Sequence, residues 1–377
     1  MKDRRKVLVV FPHTPNPRMI KRVKVLLTKY DVHVIYWDRD LGNKKINELP
    51  NEAKVDVIKR KANEGSPLNR IGTTVSVIKE VISIAKAISP EILYISKTDM
   101  LFAGTIYHKL FKRNCKLIYE VSDLHTLMID VQSKLHKKLI SKILKKAEEL
   151  LCRSVSLLVV TSENFYQQFY RDMILKDKVV FMPNTPDPEV FSEFQRKTHD
   201  VLTVGFIGAV RYADQLEMLI DASYEANVNV FIAGGGKDYV RIKEYAKSYK
   251  NVEVYGEYKY EEEIKELYER VDCIYSVYDT KLKNVQIALP NRLYEAVYTA
   301  TPLIVSKNTY LGELVEKYQV GKTISSDSKS ELIETLVYLK QNSGYLQSIE
   351  EKAKVFINDW NLSKYNRNLL DAIGNIN

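Results

Sequence analysis

The 377-residue chain is short of cysteine: it has three, Cys115, Cys152 and Cys273. Their number is odd, each sits among apolar residues and none forms a C-x-x-C pair. That argues against a disulfide framework or a zinc ribbon and for a reducing compartment. The six histidines, His13, His33, His108, His125, His136 and His199, include no H-x-x-x-H pair of the kind that holds zinc on a helix. No run of about 18 apolar residues occurs, so no membrane span is expected. The apolar run 7–11 follows a basic N-terminus but is too short for a signal peptide and lacks a small-residue cleavage site. Low-complexity tracts and short-period repeats are also missing, which removes solenoids from consideration.

What remains is an ordinary soluble composition, 45% hydrophobic and 28% charged, on a chain long enough for two domains of about 150–200 residues. The 25 tyrosines are spread along the whole length and read as compositional bias. Charge is uneven. Residues 1–200 hold 36 Lys and Arg against 23 Asp and Glu, a net of +13, and the remainder carries −4. A basic first half suits an anionic partner.

Strand-like and helix-like segments alternate in both halves. Strands are expected at 7–11, 32–37, 55–58, 92–95, 116–121, 157–161 and 179–182, with helices between them at 18–29, 75–87, 102–111, 133–152 and 162–171. The stretch Pro183-Asn-Thr-Pro186-Asp-Pro188 breaks the pattern as an interdomain linker. Alternation then resumes, with strands at 202–207, 228–233, 252–255, 273–277 and 303–305, and closes on a helix at 363–373. The fold class is therefore α/β, two tandem doubly wound Rossmann-like domains facing across a cleft, with ligands outside the carboxyl ends of the strands. The expected domains are 1–190, 191–360, and a C-terminal helix in 361–377 crossing back to the first.

Several motifs fall at those strand ends. Gly208 and Arg211 follow the first strand of the second half, where glycine admits close approach and arginine can bind a diphosphate bidentately. Gly234-Gly-Gly236 ends the next strand. It is not G-x-G-x-x-G, and either close approach to a ligand or a tight strand-to-helix turn explains it. In the stretch from Leu289, Pro290 suits the first turn of a helix. Asn291 and Arg292 then lie where backbone N–H groups can bind an anion. Leu293, Ala296 and Val297 form the apolar face of that helix, and Glu295 falls off it, free to meet hydroxyls. Lys281 lies in the preceding loop, within reach of a phosphate. In the first half, Glu120, Asp123 and His125 gather after a strand, able to bind hydroxyls or to act as acid or base. Loop solvation and a cap by Asp123 explain them equally well. His13 and Arg18 stand at another strand end, with Asn16 and Pro17 opening a helix. Six lysines in 134–146, with Leu135, Leu139, Ile143 and Ala147 on one face, make a basic amphipathic helix suited to an anionic bilayer surface. No nucleic-acid motif accompanies it.

Assembled, these motifs make the chain resemble a retaining glycosyltransferase of the GT-B fold, similar to glycosyltransferase family 4 and to its envelope or capsular polysaccharide branches. Phe206-Ile-Gly208-Ala-Val-Arg211 is similar to the family's donor-phosphate loop, Phe231-Ile-Ala-Gly234-Gly-Gly236 to its nucleotide-side turn, and the run from Asn291 through Glu295 to Ser306 to its donor helix and strand. The chain departs from the family at Ile287, where the first of two glutamates is common, at Asp214 in place of a lysine, and at Ser122 in place of a histidine.

The resemblance implies transfer of a sugar from a nucleotide-diphosphate sugar to an acceptor hydroxyl, on a lipid-linked or cell-envelope polysaccharide precursor, with retention and without metal or other cofactor. Asp38-Arg-Asp40 is not read as a metal site. Gly208, Arg211, Gly234, Lys281, Leu289, Pro290, Asn291, Arg292 and Glu295 are the implied donor residues, with Glu295 on the ribose. His13, Arg18, Glu120, Asp123 and His125 are the implied sugar or acceptor side, and Asp123, His125 and Arg211 the catalytic set. The expected place is the cytoplasm, at the inner face of the cell membrane, with no nucleic-acid partner. A nucleotide-sugar 2-epimerase or phosphorylase of the same fold, or a non-catalytic partner subunit, are the alternatives.

Overall fold

The computed structural model describes residues 4–42, 48–61, 71–124, 135–197 and 199–376. Two compact units emerge, dividing inside the proline-rich break between Pro183 and Asn184, and Leu362–Asn377 returns to the first.

The first unit contains β1 (Lys6–Phe11), α1 (Pro17–Leu27), β2 (Asp31–Asp38), β3 (Lys54–Lys59), α2 (Ile71–Ile88), β4 (Ile92–Ser96), α3 (Thr98–Leu110), β5 (Lys116–Val121), α4 (Leu135–Cys152), β6 (Leu157–Val160), α5 (Glu163–Phe165) and β7 (Val179–Phe181). The strands form a parallel sheet in the order β3-β2-β1-β4-β5-β6-β7. The inner strands are buried on both faces, which is why they read as continuous Val, Ile and Leu runs. The order reverses between β1 and β4, and a crevice opens at the carboxyl ends of such a pair. Asn16 caps α1, accepting the Met19 N–H at 3.1 Å with Pro17 following, as the sequence predicts.

The helix expected over 162–171 is instead the three-residue α5 followed by a π turn, Tyr166–Tyr170. The wider turn keeps Phe165, Tyr166, Phe169 and Tyr170 all buried, and the Tyr170 hydroxyl donates to Glu148 at 2.5 Å.

The second unit runs through β8 (Thr203–Ile207), α6 (Ala213–Glu225), β9 (Asn229–Ala233), α7 (Tyr239–Ala246), β10 (Val252–Gly256), α8 (Tyr260–Glu269), β11 (Cys273–Ser276), α9 (Lys283–Ile287), α10 (Asn291–Tyr298), β12 (Leu303–Ser306), α11 (Tyr310–Tyr318), β13 (Gly321–Ile324), α12 (Lys329–Gln341) and α13 (Ser343–Asp359). Its parallel sheet has the order β10-β9-β8-β11-β12-β13, with the switch between β8 and β11. The short helix α9 and the edge strand β13 are additions to the sequence reading. The last helix, α14 (Leu362–Gly374), packs on the first unit: Leu369 and Ile373 enter its core, and Tyr365 meets Phe181 edge-on at 5.4 Å.

Candidate active site

In the second unit, the loops after β8 and β9 lie backbone against backbone. The Gly208 N–H donates to the Ala233 carbonyl and the Val210 N–H to the Gly235 carbonyl, both at 2.8 Å. Gly208 and Gly234 have φ of +131° and +133°, and a Cβ on Gly234 would overlap the Gly208 carbonyl. Glycine is required here because two main chains meet. The close approach at Gly234 is to the main chain of the neighbouring loop rather than to a ligand.

Arg211 stands just beyond, exposed at the carboxyl edge of β8, with no ion pair among the described residues. Lys281, also exposed, lies in the loop after β11 and anchors its backbone N–H on Asp279 Oδ1 at 3.0 Å. The two therefore flank the switch point. α10 begins in the same region with no side-chain cap and no acidic residue in its first turn. An uncapped N-terminus has backbone donors to offer an anion. Asn291 is exposed and accepts from the Asn184 amide, and Leu289 is 9% exposed, ahead of the helix.

Three expectations at α10 are corrected. Pro290 is the N-cap, with extended backbone, and not part of the first turn. Arg292 is 6% exposed and turned inward. It donates to the Ile207 carbonyl and, at 2.8 Å, to the Tyr278 hydroxyl, with its guanidinium carbon 3.8 Å from the Phe206 ring centroid. It braces the Gly208 loop from behind. Glu295 does not project. It is 3% exposed, accepting hydrogen bonds from Tyr260 at 2.8 Å and Tyr268 at 3.0 Å. Burial of Tyr260, with the Glu295 charge beside it, raises the Tyr260 hydroxyl pKa. Ile287 is buried at the end of α9.

In the first unit, the structure brings His13, Arg18 and Glu120 into one electrostatic neighbourhood. The His13 Nδ1 lies 2.8 Å from the Thr14 carbonyl. Burial lowers its pKa to about 4, helped by the charges of Lys97, Arg39 and Arg18 and opposed by the Thr14 hydrogen bond. The ring is neutral at pH 7. Since a carbonyl only accepts, the proton sits on Nδ1 and Nε2 is an acceptor.

Glu120 is corrected from a sugar-facing carboxylate to a buried one, 4% exposed. Arg22 donates to it twice, at 3.0 and 3.2 Å, Tyr94 donates through its hydroxyl, and Arg18 lies 3.7 Å away. Burial alone would raise its pKa, but the Arg22 and Arg18 charges outweigh that and hold it at about 2. Asp123 is exposed. His125 lies outside the described residues, as does Lys134 of the basic segment.

Three charged groups here were missed from the sequence: Arg39 after β2, Lys97 between β4 and α3, and Asp99 in the first turn of α3. The signal for the two cations was the one that found Arg211, a basic residue following a buried strand.

Residues 187–356 match the family described as Glycosyl transferases group 1, so the second unit carries a domain of that kind. Over 315 residues the chain is 22% identical to the succinoglycan biosynthesis protein ExoL of Rhizobium meliloti (strain 1021), covering 79% of this chain and 76% of that one. Among solved structures it resembles sucrose-phosphate synthase from Thermosynechococcus elongatus, with a TM-score of 0.78, 12% identity and 98% of each chain covered. It also resembles Anabaena Alr3699/HepE in complex with UDP-glucose, with a TM-score of 0.72, 15% identity and coverage of 98% and 99%. At such identities the structural likeness speaks for the fold, two Rossmann-like α/β units of the glycosyltransferase GT-B kind.

Proposed function

We propose that the chain is a retaining glycosyltransferase of polysaccharide biosynthesis that moves a sugar from a nucleotide-diphosphate donor to a hydroxyl of a cell-envelope or lipid-linked acceptor. The observation that carries this reading is the free guanidinium of Arg211 at the switch point of the domain that matches group 1 glycosyltransferases, beside the uncapped start of α10. The bond from the anomeric carbon to the donor phosphate breaks, the bond to the acceptor oxygen forms, and the acceptor proton leaves on a phosphate oxygen of the departing nucleotide diphosphate. Arg211, Lys281 and the α10 N–H groups stabilise that diphosphate, the task otherwise given to a metal ion. Glu295, held by Tyr260 and Tyr268, shapes the ribose side, and Asp123 and His125 serve the sugar or acceptor from the first unit. ExoL, by its name, acts in succinoglycan biosynthesis, which favours the polysaccharide reading.

The donor can be found by thermal shift across nucleotide sugars, because a ligand at a hundredfold excess over its Kd adds about 2.7 kcal/mol. With that donor, release of nucleotide diphosphate is expected only when acceptor glycan is added. Release without acceptor would instead mark an epimerase or phosphorylase.

The acceptor side is further proposed to work at an anionic membrane. On α4, Leu139, Ile143 and Leu144 are 61%, 59% and 46% exposed, with Lys142, Lys145 and Lys146 alongside. Among the described residues no helix is long and apolar enough to cross a bilayer, so any contact is interfacial. The protein is expected to float with anionic vesicles, less so at high salt and less so after Lys142→Gln, Lys145→Gln and Lys146→Gln together. Salt-independent flotation, or none, would sink the idea.

A further inference from the structure

We propose that Tyr258 is the residue that recognises the ribose of the nucleotide donor, its phenol making the hydroxyl contact that Glu295 is not free to make. That the ligand is a nucleotide rests on the glycosyl-transfer reading above; that Tyr258, and not Glu295, touches its ribose rests on the geometry of this chain.

A carboxylate grips the two neighbouring hydroxyls of a ribose only when its oxygens are open. Those of Glu295 are engaged: Oε1 accepts from Tyr260 at 2.8 Å and Oε2 from Tyr268 at 3.0 Å, and the residue is 3% exposed. Both phenols stand on α8. Displacing either leaves a buried charge short of a donor, which costs more than one ribose hydroxyl returns. The ribose contact therefore falls to another group close by.

Tyr258 is that group. It is half-buried and lies in the electrostatic neighbourhood of Glu295, Arg292 and Glu263. Unlike Tyr260 and Tyr268, its hydroxyl makes no hydrogen bond among the described residues. Polar groups so placed normally have partners, so a phenol left open beside the donor helix marks the place of a ligand oxygen. Burial, with the Glu295 charge adding to it, raises the phenol pKa. The proton stays on, and the hydroxyl can donate to one ribose oxygen while accepting from the other.

The loop that carries Tyr258 belongs to the same frame as the phosphate side. The Gly234 N–H donates to the Gly256 carbonyl at 2.6 Å, which continues the lacing of the β8 and β9 ends to the end of β10. On its other side, Glu263 in the first turn of α8 accepts from the Lys259 N–H and from the Tyr255 hydroxyl, each at 2.6 Å. Tyr258 follows β10 as Arg211 follows β8, two strands away in the sheet. At the usual strand spacing that is roughly 10 Å, a span that a nucleoside diphosphate covers from its phosphates to its ribose. Between the two lie Gly208, Gly234 and Gly235, which carry no side chain to obstruct it.

The test is calorimetry on the full chain with UDP, GDP and ADP, followed by the 2′-deoxy and 3′-deoxy forms of the tightest binder. Wild type is expected to bind at least one deoxy form about fivefold to tenfold more weakly, the size of one neutral hydrogen bond. Tyr258→Phe should lose the same factor on the ribonucleotide and bind it and the deoxy forms alike. Its thermal stability should be unchanged, because the hydroxyl has no partner in the fold. A Tyr258→Phe protein that keeps the full preference for ribose overturns the proposal and leaves the transfer reading standing. Preference lost in Glu295→Gln but kept in Tyr258→Phe returns the role to Glu295. Failure of all three nucleotides to bind wild type overturns the transfer reading and the proposal with it.

Discussion

Glu120→Gln is expected to destabilise the first unit by about 3–5 kcal/mol, the cost of leaving a buried charge without its partner. Arg22 is 3% exposed and its guanidinium is spent on Glu120. A neutral amide there strands the cation and disturbs the Tyr94 hydroxyl as well. The effect depends on pH in a fixed direction. Glu120 ordinarily titrates at 4.5 and is held at about 2 in the fold, so its contribution is complete above 4.5 and disappears as pH falls through 2. The gap between wild type and Glu120→Gln should therefore be full at pH 7 and narrow steadily below pH 4.5. The chain has two tryptophans, and a Trp360→Phe background leaves Trp37 to report urea unfolding of the first unit. The double change Arg22→Met with Glu120→Leu should recover most of the loss, since a well-packed apolar pair replaces a buried ion pair at little cost. A loss under 1 kcal/mol at pH 7, or a gap that widens in acid, would show the pair to be peripheral.

Such a pair shows where sequence reading stops. Parallel strands buried on both faces announce themselves as unbroken apolar runs, so the inner strands of both sheets could be read off, and so could the capped start of α1. The edge strands β3, β7 and β10 are less buried but keep enough valine and other apolar residues to be read. β13 could not: it is an edge strand, Gly-Lys-Thr-Ile, with only Ile324 buried. α10 misled for a different reason. The reading of Glu295 as outward assumed one apolar face and one wet face, but Arg292, Leu293, Tyr294, Glu295, Ala296 and Val297 are all buried. A helix enclosed on every side has no free face for a polar residue, and the partners that make burial tolerable, Tyr260 and Tyr268, sit on α8. Likewise Arg22 and Glu120 are 98 residues apart in the chain, and nothing local links them. Lys97 is the instructive omission, because a basic residue in the loop after a buried strand is the same signal that marks Arg211.

The two arginines of the second unit separate structure from chemistry. Arg292 is fully engaged by Ile207, Phe206 and Tyr278, so its loss should collapse the Gly208 loop. Arg211 is exposed and makes no hydrogen bond or ion pair among the described residues. Arg211→Ala is accordingly expected to leave thermal stability within about 0.5 kcal/mol of wild type while lowering kcat about 10²- to 10³-fold, the usual cost of removing one preorganised group from a developing charge. The loss should fall on kcat more than on KM, because the diphosphate gains charge only as the glycosidic bond breaks. Arg211→Lys should recover part of the rate, since it keeps the charge but loses the bidentate fork. The measurement is acceptor-dependent release of nucleotide diphosphate under saturating donor. If donor affinity and turnover both survive Arg211→Ala, the diphosphate is held elsewhere, and the backbone at the start of α10 with Lys281 becomes the site to test next.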